Sequence, residues 1–212
     1  IGMSGMAEFL FNHGFDISGS DISSSERTKY LSSIGIKISS SHQKSNIKNH
    51  DLVVYSSAVD HKNIEIIKSK ELNIPIMKRS QMLGELIKIK DTSIGVAGTH
   101  GKTTTSSMLG SILYESKLDP TLIIGGIVNK FNSNNISGNG DFIVVEADES
   151  DGTFTHLQPD VAVLTNIDDD HLVHYNNIFD NLLDSFVMFA ENVPFYGYLA
   201  ILSLIHISEP TR

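Results

Sequence analysis

Lys102 and Thr103 offer an ammonium and a hydroxyl at a place where both could serve a polyphosphate. The string SIGVAGTHGKTTTSSML (93–109) runs from an apolar stretch through Gly98 and Gly101 into Lys102, Thr103 and a helix-like pattern. It departs from the common G-x-x-x-x-G-K-[ST] spelling, because Val96 stands where the first glycine is expected. The context is still the one that motif requires: a strand at Thr92–Ala97, a glycine turn and a helix over Lys102–Glu115. Glycines let the backbone turn sharply with N–H groups facing inward. A helix N-terminus carries roughly half a positive charge and several unpaired N–H groups. Lys102 adds a point charge for the β- and γ-phosphates, and Thr103 a hydroxyl for Mg2+. The missing glycine alters the loop's shape and not its chemistry. The plainer alternative is a capped helix with a fortuitous lysine.

A second string, VVEADESD (144–151), ends an apolar strand in four acids: Glu146, Asp148, Glu149 and Asp151. Ligands of open α/β sheets bind at the carboxyl ends of strands, so parallel pairing places these acids beside the loop. Carboxylates gathered there repel one another unless a cation joins them, and Mg2+ is the natural guest. A solvated strand end is the bland alternative. A third string, TNIDDDHLVHY (165–175), ends another strand and continues into acids, His171 and His174. A lone histidine after a strand is more often a packing or surface residue. His171 gains weight because it follows the third strand converging on one rim.

The elements that must position these groups alternate along the chain. Met3, Met6, Ala7, Leu10 and Phe11 recur at helical spacing, and Gly14 stops that helix. A short strand (17–20) ends at Asp21. A polar helix (24–33), a strand (36–38), a strand (51–58), a helix (63–72), a strand (74–80) and a helix (81–90) follow. Residues 87–91 form a plausible junction. The second series holds the loop strand and helix, a strand (121–124), a Gly/Asn-rich loop or irregular hairpin (125–140), strands at 141–148 and 160–167, and a helix (178–191). Alternating strands and helices imply βαβ units and parallel sheets. The Ser-rich run 39–45 reads as a solvated loop.

Bulk properties narrow the partners. The chain has 212 residues, 40% hydrophobic and 19% charged, with a formal net charge of −9. Nucleic acid and anionic membrane surfaces both reward an excess of Lys and Arg, so neither is the expected main partner. No cysteine is present, which excludes disulfides, thiolate chemistry and zinc–sulfur sites. No apolar run reaches the roughly 18 residues of a membrane span, and no leader pattern is visible. Membrane insertion is therefore not expected, and cytoplasm is the default compartment. Both ends read as cut. Ile1 already lies inside a glycine-rich turn, and SLIHISEPTR (203–212) resembles foreign or disordered sequence, to which no function is assigned.

Taken together, AGTHGKTTT (97–105), EADESD (146–151), HLQPDVAVLTNI (156–167), the DH at 170–171 and NVPFYG (192–197) resemble the Mur ligases of peptidoglycan synthesis. SGSD (18–21), SSA (56–58) and IGMSGMAEFL (1–10) resemble the N-terminal UDP-binding domain of that family. The resemblance runs from Ile1 to about Leu202. It implies a Rossmann-like parallel-sheet domain over 1–90 that holds a UDP-sugar. A P-loop-type α/β domain over 91–202 would hold ATP and Mg2+. A third domain, which would close over the amino acid, is not represented. By motif position Lys102 and Thr103 would contact phosphates and metal, Glu146 would be a metal ligand and His171 a metal-site residue. Glu146 is preferred to Glu149 by strand register. Gly98, Thr99, His100, Gly101 and Thr104 would complete the loop, and Asp21, Ser56 and Ser57 are candidates for the uridine-diphosphate side. The implied substrates are UDP-N-acetylmuramate and L-alanine, joined through an acyl phosphate. Positioning and electrostatics would carry that step.

Two departures from the family pattern stand out. Val173 occupies a position that is usually Asp, which alters the surroundings of His171. The first strand with its leading glycines, the end of the central domain and the whole third domain are missing, so the 212-residue chain is expected to have little or no ligase turnover. The absent first strand is expected to leave a sheet edge or core gap. Two alternatives stay open: a murein-recycling ligase that attaches a tripeptide to the same sugar nucleotide, and a nucleotide-binding module that does not ligate; a folylpolyglutamate-type ligase would share the loop but would not need SGSD and SSA. The sequence leaves the oligomeric state undetermined.

Overall fold

A computed structural model describes residues 2–56, 58–128, 133–150, 152–169 and 172–202. Ser57, Asp151, Asp170, His171 and the 203–212 tail, all noted in the sequence, lie outside the described residues. Contacts divide the chain into two units, Ile1–Leu83 and Gly84–Arg212.

In the first unit α1 (Gly2–Asn12) buries Met6 and Phe9 and ends where Gly14 takes a φ of +86°. Glu8, also buried, accepts from Arg27 Nη2 at 2.6 Å and from the Tyr30 hydroxyl at 2.7 Å, joining α1 to α2 (Glu26–Ser33). Ser25 caps α2 by accepting from the Thr28 N–H, and the Thr28 hydroxyl in turn accepts from the Ser25 N–H. That reciprocal arrangement satisfies donors a helix start otherwise leaves unpaired. β1 (Ser18–Ser20) pairs in parallel with β2 (Lys37–Ser39). β3 (Val53–Tyr55) pairs in parallel with β4 (Ile76–Lys78), with α3 (Ile64–Glu71) between them in sequence. Parallel α/β structure is thus as expected, but these strands form two separate two-stranded sheets. α4 (Arg79–Leu86) follows β4.

The second unit is built on one six-stranded sheet, and its middle is the strand before the glycine loop. β5 (Thr92–Ala97) lies between β8 (Phe142–Glu146) and β9 (Val161–Leu164), parallel to both. The full order is β10-β9-β5-β8-β6-β7. Every pairing is parallel except that of β6 (Thr121–Val128) with β7 (Ser133–Ile136). β6 begins in the expected strand 121–124, while its end and all of β7 fall in the 125–140 stretch expected to be loop or irregular hairpin. β10 (Tyr198–Ile201) was not expected: it is four residues long, exposed throughout and without alternation. It is specified by pairing with β9, a non-local contact that no local pattern announces.

α5 (Lys102–Glu115) crosses from β5 to β6 and packs Leu109 and Leu113 against a core of Ile94, Val96, Leu122, Ile124 and Val144. α6 (Phe179–Glu191) buries Leu182, Phe186 and Phe189, and the last two stack on Phe154 at 5.0 and 5.5 Å between ring centroids. At the base of the sheet Asp160 Oδ2 accepts from the backbone N–H and hydroxyl of Ser93 at 2.8 and 2.7 Å, fixing β5 against β9. Among the described residues no helix is long and apolar enough to cross a membrane.

Candidate phosphate-binding site

The loop after β5 is shaped by two glycines with positive φ, +136° at Gly98 and +79° at Gly101. A side chain at Gly98 would collide with the Thr165 hydroxyl and the Asn166 backbone. Only glycine combines that φ with so close an approach. Gly101 is the N-cap of α5, and no side chain caps this helix. Its first turn, KTTTSS, is rich in weak helix formers. Loop geometry and packing therefore hold this helix start, while the positive end of a 14-residue helix is left without a side-chain acceptor.

The strands on either side of β5 buttress the loop. Leu164 pairs with Ala97, so the residues after β9 run beside those after β5. Thr165 Oγ1 donates to the carbonyls of Ala97 (3.2 Å) and His100 (2.6 Å). Asn166 receives the His100 N–H on its side-chain oxygen at 2.8 Å and donates back to the His100 carbonyl at 2.9 Å. The Asp168 N–H donates to the Thr99 hydroxyl at 2.9 Å. On the other side, Val96 pairs with Glu146 at the end of β8.

Lys102 points back under its own loop. Its Nζ donates to the Gly98 carbonyl at 2.7 Å, to the Thr99 carbonyl at 3.3 Å and to Glu149 Oε2 at 2.7 Å. Glu149 is fully buried, and its backbone carbonyl accepts from the Tyr175 hydroxyl (2.5 Å) and the Gly152 N–H (2.9 Å). Glu146 Oε2 accepts from the Gly125 N–H of β6. One oxygen of each carboxylate, Glu146 Oε1 and Glu149 Oε1, is buried without a hydrogen-bond partner. Buried acceptors left this way are costly, and a cation bound at either carboxylate would relieve that cost. Among the described residues no three His, Asp or Glu side chains gather as a ready-made metal cage. Mg2+ commonly takes one or two carboxylates and completes its shell with water and phosphate oxygens, so these residues suit it.

Comparison with known proteins gives this geometry its family. The model of the Mur ligase family catalytic domain matches residues 1–90, and that of the Mur ligase middle domain matches residues 96–208. The chain belongs to the Mur ligase family. A UDP-N-acetylmuramate–L-alanine ligase of Ruthia magnifica subsp. Calyptogena magnifica is 50% identical over 196 residues, covering 92% of this chain and 42% of that protein. The crystal structure of a UDP-N-acetylmuramate–alanine ligase from Thermotoga maritima superposes with a TM-score of 0.83 at 35% identity, over 91% of this chain and 45% of that one. A UDP-N-acetylmuramate:L-alanyl-gamma-D-glutamyl-meso-diaminopimelate ligase from Neisseria meningitides gives 0.84 at 26% identity, over 96% and 68%. The chain spans less than half the length of the curated relatives it matches, 42% and 44% of the first two.

Within this Mur ligase chain the expected loop residues Gly98, Thr99, His100, Gly101 and Lys102 form one continuous turn. Thr103 is half-buried on the first turn of α5, and Thr104 is exposed. Lys102 meets Glu149, whereas Glu146 turns to β6. Thr165, Asn166 and Asp168 were not anticipated as loop supports. The only hint was TNID at the end of a strand expected to lie parallel in the same sheet. In the first unit Asp21 lies just past β1 and Ser56 just past β3, each at the carboxyl end of a strand. Hydrogen bonds from the backbone and then the hydroxyl of Ser23 hold the Asp21 carboxyl below its ordinary range. Near Asp21, Glu65 accepts from Ser20 Oγ (2.6 Å) and Asn46 Nδ2 (2.6 Å), and His42 Nδ1 lies 3.0 Å away. Burial pushes Glu65 upward, but the hydrogen bonds from Ser20, Asn46, Gln43 and His42 outweigh it and leave its pKa lowered.

Proposed function

We propose that this chain is part of an ATP-dependent ligase that joins L-alanine to the carboxylate of UDP-N-acetylmuramate during cell-wall synthesis in the cytoplasm. The observation that carries the nucleotide half of this reading is Lys102 in a glycine turn at a helix start with no side-chain cap, after a strand whose neighbour leads to two carboxylates that each bury one unpaired oxygen. The half-identical relative, named for that reaction, supports the substrates. On this reading residues 91–202 hold ATP. Loop N–H groups and Lys102 bind its phosphates, and Thr103, Glu146 and His171 are the residues that would hold Mg2+, whose charge would offset that of the phosphates. Residues 1–90 hold the UDP-sugar, with Asp21, Ser56 and Ser57 on the diphosphate side.

The chemistry makes a poor leaving group into a good one. A muramoyl carboxylate oxygen bonds to the γ-phosphorus as the bond to ADP breaks. The amine of L-alanine then bonds to the acyl carbon, phosphate leaves with the electron pair of the broken C–O bond, and the amine nitrogen gives up one proton to the departing phosphate or to water. The chain's part is to fix the triphosphate and screen its charge.

Binding of ADP by this chain, followed by calorimetry, should weaken about 100-fold in Lys102→Ala, as expected for a lost charge-assisted phosphate contact. Unchanged affinity would remove the loop from the site. The 212-residue chain alone should show little or no alanine-dependent phosphate release. A second reading, attachment of a tripeptide to the same sugar nucleotide, is favoured by the likeness to the Neisseria meningitides structure. Phosphate release by the full-length protein with L-alanine or tripeptide as acceptor decides between the two, and release with neither would favour a module that binds nucleotide without ligation.

A further inference from the structure

We propose that Glu149 is the resting partner of Lys102, an internal anion that a nucleotide phosphate must displace. The inference rests on the nucleotide reading above and assigns a positioning role to a residue that the motif comparison passed over in favour of Glu146.

A lysine ammonium has three N–H donors. Here all three are spent, on the Gly98 carbonyl, the Thr99 carbonyl and Glu149 Oε2. Lys102 cannot take a phosphate oxygen without giving one up. The carbonyls belong to the loop whose shape depends on Gly98, and that loop is pinned by Thr165, Asn166 and Asp168. Glu149 is the partner that can be exchanged, because its bond is made by a side chain alone. Its 2.7 Å contact lies in a nearly closed environment, with Lys102 and Glu149 side chains 17% and 1% exposed, where charge interactions are screened little by salt. Its backbone is clamped through Tyr175 and Gly152, so the carboxylate stays close to the loop whichever partner it takes. A phosphate arriving at the start of α5 brings a second anion to the same ammonium. Two anions sharing that place repel unless a cation stands between them. Glu149 Oε1, buried and unpaired, is an oxygen such a cation could use. Glu146 is not this competitor, because it is bonded to the Gly125 N–H, whereas the carboxylate paired with Lys102 is that of Glu149.

Glu149→Gln keeps the shape and an acceptor for Lys102 while removing the competing charge. Calorimetric titration of the 212-residue chain with ADP in EDTA should show binding about tenfold tighter in E149Q than in wild type. The gain should shrink when Mg2+ is added, since the metal offsets the released carboxylate in wild type. A purely structural role for Glu149 would lower thermal stability without this metal-dependent gain. Should E149Q fail to fold, Glu149→Asp decides: it withdraws the charge by one methylene and should bind metal-free ADP more tightly than wild type, by a smaller factor. Equal or weaker metal-free binding in the folded variant overturns the proposal. If wild type binds ADP and the variant gains nothing, only this inference falls. If neither binds, the nucleotide reading falls with it.

Discussion

The two units use parallel strands in opposite ways. In β5 five of six residues are buried, and in β8 the central three are, on both faces of the sheet. In β1 to β4 no residue is buried. β5 and β8 have neighbours on both sides, whereas each of β1 to β4 has one partner and is three residues long. Two-stranded pairs are marginal by themselves, so the first unit leans on its helices, through Met6, Phe9, Leu31 and Ile66. The glycine loop grows from β5, a strand buried along almost its whole length. The candidate sugar-nucleotide residues grow from strands with an open edge. Burial is thus concentrated under the proposed phosphate loop.

Hydrogen exchange tests that contrast most severely. Amides of Ile94, Val96 and Val144 should exchange at least about 1,000-fold more slowly than those of Ser20 and Val54, reflecting global rather than local opening. Similar rates in both sets would erase the distinction. Gly98→Ala sharpens it at the loop. It imposes a left-handed backbone on alanine and a collision with Thr165 and Asn166, costing about 1–3 kcal/mol of strain. ADP affinity should fall roughly tenfold, measured by calorimetry. Tolerance of alanine there would show that the loop is softer than its surroundings. Glu65→Gln probes the first unit with the smallest expected effect. Because the folded pKa of Glu65 lies below its ordinary 4.5, its stabilising contribution is complete above that pH and fades as the pH falls towards the lowered value. The variant should lose stability at neutral pH and show a flatter melting profile as the pH falls below about 5, since one titrating group is gone. An unchanged acid limb would mean that the polar cluster around Glu65 contributes nothing to the fold.

Much of this organisation was written locally. Strand, glycine turn and helix around Lys102 could be read from spacing, because two glycines and an apolar run restrict the backbone within a few residues. The alternation of strands and helices gave parallel α/β structure for the same reason. Phe9, buried like Met6, was passed over in α1 because neighbouring apolar residues also matched the period. β10 was missed because its four exposed residues owe their conformation to β9. The division of the first unit's strands into two sheets also depends on pairing at a distance.

The sequence by itself determined that a backbone suited to phosphate, with an ammonium at its end, stands at the start of α5. Local sterics suffice for that. Only the tertiary structure decided which carboxylate meets Lys102, and which residues of a distant strand end brace the loop. Glu146 and Glu149 are three positions apart in one acidic string, and their chemistry is the same. The path of the chain beyond β8, fixed by Tyr175 and the packing around it, turns Glu149 towards the lysine and leaves Glu146 to β6.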